Sequence, residues 1–257
     1  MKRISAILVF CGMAAMIPAG ISAQTGTAPA SGTAMTAQGP VHHAAAAKTD
    51  PALLHPAMLK ATAPDQYEVT FKTTAGDFVV SVTRAWAPLG ADRFYNLVKH
   101  GFYNDTTFFR VVPGFVVQFG LSGNPAVNAA WEKATIKDDP VTQSNHTGYL
   151  TYAKPDVPNN RTTQLFISLG ENVRLDSMGF APFAQVTSGM DVVQKIFSGY
   201  GETPDQSQIT AEGKAYVDKN FPKLDRIVTA TVTSPAPAAP GHHAAPAKKP
   251  AAAGSPQ

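Results

Sequence analysis

From about residue 66 onward, apolar side chains recur with two clear periods. Tyr67, Val69 and Phe71 alternate with polar residues, and so do Phe78, Val80 and Val82 beyond Ala75-Gly76-Asp77. Alternation on both sides of a short turn predicts a β-hairpin with one buried face. The period then changes. Pro88 opens a helical stretch with Ala91, Phe94, Leu97 and Val98 on one face, and Gly101 stops it. Five short strands are expected next, at Thr107–Val112, Phe115–Gly120, Tyr149–Ala153, Gln164–Leu169 and Phe183–Val186, separated by Gly, Pro, Asn and Asp clusters. A second helix is expected at 189–197, a third at 207–220 before Pro222, and a last strand at Asp225–Val232. Eight short strands with few long crossovers point to a mainly β fold, an antiparallel barrel or sandwich.

The flanks have a different texture. Lys2 and Arg3 precede a short apolar stretch from Ile4 to Ile17, and Ile21-Ser22-Ala23 offers small residues before Gln24. This reads as a signal peptide over 1–23, which places the mature chain in the periplasm or outside the cell. A chain anchored to the membrane by an uncleaved signal is the alternative; after cleavage no stable membrane insertion is expected. Phe10 before Cys11 does not suit a lipoprotein site, and the mature chain holds no cysteine. Residues 24–64 are rich in Ala, Thr and Pro and read as a linker. Residues 233–257 repeat that composition and read as a disordered tail. The domain proper is expected over 65–232. His42-His43 and His242-His243 lie in the flanks without Cys or carboxylate partners and read as solvated spacing.

Charge narrows the partners. The net charge is +3, but 15 Lys+Arg and 17 Asp+Glu lie between Asp65 and Val232, so the basic excess belongs to the ends. No nucleic-acid partner is expected on that ground. There is no GxGxxG, P-loop or HExxH pattern and no nucleophile elbow. No metal is expected either, and Asp138-Asp139 reads as a solvated turn.

The informative stretch runs from Phe108 to Gly120. With 107–112 as a strand, Phe109 and Val111 face one side, and Phe108, Arg110 and Val112 face the other. Arg110 is then a lone cation among apolar neighbours. Beyond Pro113-Gly114, Phe115 and Val117 alternate with Val116 and Gln118. An Arg and a Gln on adjacent strands, flanked by Phe and Val, make an apolar pocket with two polar handles.

This stretch resembles the signature of the cyclophilin-type peptidyl-prolyl cis-trans isomerases. Gly148-Tyr149-Leu150-Thr151-Tyr152-Ala153, Thr163-Gln164-Leu165-Phe166-Ile167 and Leu175-Asp176 are similar to further blocks of the family. Gly179-Phe180-Ala181-Pro182-Phe183, Ala211-Glu212-Gly213 and the run from Asn220 to Asp225 resemble a bacterial branch. The resemblance covers 66–232 and implies an eight-stranded antiparallel β-barrel capped by helices. It implies rotation of X-Pro peptide bonds without a cofactor, acting on proline-containing segments of unfolded or folding exported proteins. It assigns Arg110 and Gln118 as catalytic residues. It assigns Phe115, Val116, Ala153, Gln164, Phe166, Leu175 and Phe180 to substrate binding. Three positions depart from the family. Arg174 stands where a Trp is frequent, so weak cyclosporin binding is expected. The loop Ser177-Met178-Gly179-Phe180 lacks a His, which Phe180 is expected to replace. Phe109 replaces a His before the arginine.

Two other functions are compatible with the same residues. One is a proline-peptide-binding chaperone with weak or no turnover, favoured by the altered 177–180 loop. The other is an envelope-attached structural protein whose Lys- and Pro-containing tails meet polyanionic polymers.

Overall fold

A computed structural model of the chain describes residues 49–233. The hairpin forms as the alternation requires. β1 (Gln66–Thr73) and β2 (Gly76–Thr83) pair antiparallel with Tyr67 opposite Val82 and Phe71 opposite Phe78. All six apolar residues of the pattern are buried, and the Phe71 and Phe78 rings stack at 4.7 Å. The remaining strands are β3 (Arg110–Val112), β4 (Val116–Phe119), β5 (Tyr149–Tyr152), β6 (Leu165–Ser168), β7 (Pro182–Ser188) and β8 (Ile227–Thr233). They form one antiparallel sheet in the order β3-β4-β6-β5-β7-β2-β1-β8. The sheet curls until its two ends approach: the Phe108 N–H donates to the Asp225 carbonyl and the Asp105 N–H to that of Ile227.

Helix α1 (Pro88–Lys99) packs Ala91, Phe94, Leu97 and Val98 against this sheet. Its first turn is held by Asp139, whose carboxylate accepts the N–H groups of Leu89 at 3.0 Å and Gly90 at 2.9 Å. Asp139 is buried and also accepts from Arg161. The Asp138-Asp139 pair is therefore not a solvated turn. A carboxylate at a helix N-terminus satisfies orphan N–H groups and meets the positive end of the dipole. That use of the pair was not readable from its neighbours in sequence.

Three other differences have local causes. Residues 107–109 do not continue β3. Thr107 bridges to Arg226, so the chain turns toward β8 there. Phe108 consequently joins the main core beside Val111 instead of sharing a face with Arg110, and Phe109 enters a separate cluster. The expected helix over 207–220 is two helices, α4 (Gln206–Glu212) and α5 (Lys214–Asn220). They break at Gly213, where φ is +62° and a Cβ would lie 2.2 Å from the Gly123 carbonyl oxygen. Finally, residues 49–64 are not linker. Leu53 and Ala63 are buried, and the Trp131 indole N–H donates to the Leu53 carbonyl at 2.8 Å. Helices α2 (Pro125–Trp131), capped by Asn124, and α3 (Met190–Lys195) complete the fold. The signal segment 1–23, the two His pairs and the tail beyond residue 233 lie outside the described residues.

Candidate active site

The site is built on one face of part of the sheet, the face turned away from the main core. Arg110 lies opposite Gln118 across β3 and β4, Gln118 lies opposite Phe166 across β4 and β6, and Phe166 lies opposite Thr151 on β5. Neighbouring pairs one residue along, Val111–Val117, Val117–Ile167 and Ile167–Leu150, belong to the main core. Because successive side chains of a strand point to opposite faces, the row Arg110–Gln118–Phe166 is delivered to the outside of that core. The tight turn at Pro113-Gly114 makes this possible. Gly114 has φ of +72°, and the Phe115 N–H closes on the Val112 carbonyl at 3.0 Å.

Over this row lies an open cleft. All nine residues assigned from the sequence line it: Arg110, Phe115, Val116, Gln118, Ala153, Gln164, Phe166, Leu175 and Phe180. Val116, Phe166, Leu175 and Phe180 form a small apolar cluster of their own, with Phe115 and Ala153 packed against it. Phe180 meets Phe166 edge-on at 5.9 Å, so it does take a place in the pocket wall.

The polar side is a chain of side-chain contacts. Arg110 Nη1 donates to Gln118 Oε1 at 3.2 Å, and Gln118 Nε2 donates to Gln164 Oε1 at 2.8 Å. The Ala153 N–H is already given to the Gln164 carbonyl at 3.0 Å, which leaves the Ala153 carbonyl for other donors. The guanidinium also lies over the Phe115 ring at 5.6 Å, and Arg174 lies over the same ring at 4.9 Å. Phe115 thus has two cations within reach of its ring, a favourable use of its π face.

The loop that carries Leu175 and Phe180 is latched beneath the cleft. Asp176 accepts from the Asn145 N–H at 3.0 Å, from Asn145 Nδ2 at 2.7 Å and from the Ser144 hydroxyl. Asn145 in turn donates to the Phe180 carbonyl at 2.9 Å and accepts from Thr151. Burial pushes the Asp176 carboxyl up, but the hydrogen bonds from Ser144 and Asn145 outweigh it, and the group sits below its ordinary value. The histidines have other partners: His100 pairs with Asp50 at 2.8 Å and His146 with Glu171 at 2.5 Å, and neither lines the cleft. The Glu171 carboxyl is pulled down to about 2 by hydrogen bonds from His146 and Thr147.

Residues 68–215 match the family model for cyclophilin type peptidyl-prolyl cis-trans isomerases. The chain belongs to this family. Peptidyl-prolyl cis-trans isomerase B of Escherichia coli is 32% identical over 174 residues, covering 65% of this chain and 99% of that protein. A peptidyl-prolyl cis-trans isomerase of Acinetobacter baylyi is 37% identical over 136 residues, covering 50% and 70%. The crystal structure of a Cryptosporidium parvum cyclophilin shares the fold with a TM-score of 0.50 at 18% identity, covering 66% of this chain and 98% of that one. As in the rest of the cyclophilin-type family, the activity is isomerisation of X-Pro peptide bonds, and the family needs no cofactor.

Beside the assigned residues, this cyclophilin brings five others to the cleft: Lys154, Pro155, Asn160, Thr162 and Gln206. The first four lie in the loop between β5 and β6, and their nearness to Ala153 was the only signal for them. Glu202 also reaches the guanidinium, from 92 residues away in sequence, and no local pattern announced it. Phe109 has a structural use of its own. It packs with Leu121, Ile209, Val217, Phe221 and Leu224, so it seats α4 and α5 against the sheet.

Proposed function

We propose that X-Pro bonds are turned in the cleft over Arg110, Gln118 and Phe166. The observation that carries this reading is the position of one cation at the border of an apolar pocket. The Arg110 side chain is only 15% exposed, and the pocket beside it is walled by Val116, Phe166, Leu175 and Phe180, the apolar surface that a proline ring requires.

The physical problem is rotation about a partial double bond with a barrier of about 18–20 kcal/mol. As the peptide twists, amide resonance is lost and the prolyl nitrogen regains a lone pair. A guanidinium N–H aimed at that nitrogen stabilises the twisted form more than the planar ones, which is what lowers a barrier. An arginine offers five N–H groups in a fixed fork and stays charged at any working pH.

One such bond contributes only about 1.5–3 kcal/mol, while a 10⁵-fold acceleration needs roughly 7 kcal/mol. The remainder is assigned to a site that fixes one side of the bond while the other turns. Val116, Phe166, Leu175 and Phe180 would hold the ring, with Phe115 at its rim. Gln118, the Gln164 amide and the Ala153 carbonyl would hold the substrate backbone. With Arg174 rather than an indole beside Phe115, cyclosporin is expected to bind weakly.

The substrate class is proline-containing segments of folding proteins, met in the periplasm or outside the cell after removal of 1–23. The test is a peptide isomerisation assay on an Ala-Pro substrate, run on the mature chain and on Arg110→Ala. Saturable peptide binding without exchange would select the chaperone reading instead.

A further inference from the structure

We propose that Glu202 is a positioning residue for Arg110, supplied by a segment between α3 and α4 that docks on the edge of the sheet. This rests on the reading of Arg110 given above and adds a second holder for its guanidinium.

The contact takes one side of the fork. Glu202 Oε1 accepts from Arg110 Nε at 2.6 Å and lies 2.5 Å from Nη2 in an ion pair. Gln118 takes one N–H of Nη1. Among the described residues, this leaves one N–H on each terminal nitrogen without a partner, out of five. Guanidinium geometry is rigid and planar, so fixing Nε and Nη2 fixes the direction of the remaining pair. Gln118 alone, through one bond at 3.2 Å, would leave the plane free to tilt about that bond. With both partners in place the plane is determined from two sides.

The segment that carries Glu202 is itself anchored. β3 is an edge strand, and its Val111 N–H donates to the Gly201 carbonyl at 3.1 Å. The holder is therefore tied to the residue next to the one it holds. Turn bonds from Gly201 to Ser198 at 2.9 Å and from Thr203 to Tyr200 at 2.9 Å shape the loop. Tyr200 packs edge-on against Phe197 at 5.2 Å and Phe221 at 5.1 Å, which links the loop to the helical pair. The carboxylate is 56% exposed, so its loss removes no core packing.

The experiment compares Glu202→Ala and Glu202→Gln in the wild-type and Arg110→Ala backgrounds, using the Ala-Pro peptide assay. Glu202→Ala should lower kcat about fivefold with KM within about twofold and an unchanged Tm. Glu202→Gln, which keeps an acceptor oxygen, should recover most of the loss. In the Arg110→Ala background Glu202→Ala should change nothing further. Equal losses in both backgrounds, a raised KM at constant kcat, or faster turnover on removal would each overturn the proposal. The Arg110 Nε–H signal in ¹⁵N-resolved NMR, assigned by its absence in Arg110→Ala, reads the contact without turnover. It should be seen in wild type and lost in Glu202→Ala; persistence there would overturn the proposal. An inactive wild-type chain that still showed this loss would defeat the assigned site and leave the orienting contact standing.

Discussion

Gln118 stands between Arg110 and Gln164 as acceptor to one and donor to the other, at 3.2 Å and 2.8 Å. Both hydrogen-bonding ends of one amide are therefore in use on adjacent strands. Replacing it with the near-isostere Leu would free Arg110 Nη1 and strand the Gln164 oxygen. Gln118→Leu is expected to lower kcat/KM about tenfold or more, since a hydrogen bond to a charged group contributes about 1.5 kcal/mol or more. Steady-state peptide kinetics would check it, and a loss below twofold would remove Gln118 from the machinery.

Arg110→Ala should lose at least about tenfold in kcat/KM while the fold survives, because the register of β3 turns the side chain away from the main core, which takes Val111 instead. Circular dichroism beside the assay separates the two effects. Near-normal turnover would defeat the assignment.

Phe180 closes the wall against Phe166 at 5.9 Å and carries part of the apolar cluster. Phe180→Ala should raise KM for the peptide more than it lowers kcat, because it removes a surface that holds the ring in every state. A stability loss of about 3 kcal/mol is expected with it from the cavity left behind. Kinetics and a urea melt on the same variant would test the split.

Acid should loosen the pocket wall before it affects chemistry. The Asp176 carboxyl is held below its ordinary value of 3.8 in the folded chain, so it binds protons less readily there than when unfolded. Its contribution is complete above that ordinary value and is lost as pH falls through the lowered one. Asp176→Asn should abolish that part of the acid dependence, which urea midpoints between pH 5 and pH 2.5 in both chains would reveal.

Between pH 6 and 8 the turnover rate should be nearly flat, since no histidine among the described residues lines the cleft. A bell-shaped profile in that window would require a titrating group that this reading does not contain.

How much was legible in the residues alone depends on the range of the interaction. Tyr67, Val69 and Phe71 declared a strand because pleating imposes a period of two within a few residues. The pair Arg110–Gln118 was accessible because a short turn carries the same period from one strand to the next, whereas Phe166 was placed beside them only by the resemblance. At Phe108 the logic of the period failed, since Thr107 leaves that pairing to bridge Arg226. Asp139 looked like loop chemistry, yet it closes the first turn of α1 some 50 residues upstream.

The sequence by itself determined the strands, through local periodicity, and the residues that line the cleft, through the resemblance of contiguous motifs to the family. Tertiary structure alone decided which carboxylate faces Arg110, which latch supports Leu175 and Phe180, and that 49–64 belongs to the folded unit. Those are contacts between segments far apart in the chain. Their partners are selected by where curled strands and docked helices bring side chains together, which no local spacing encodes.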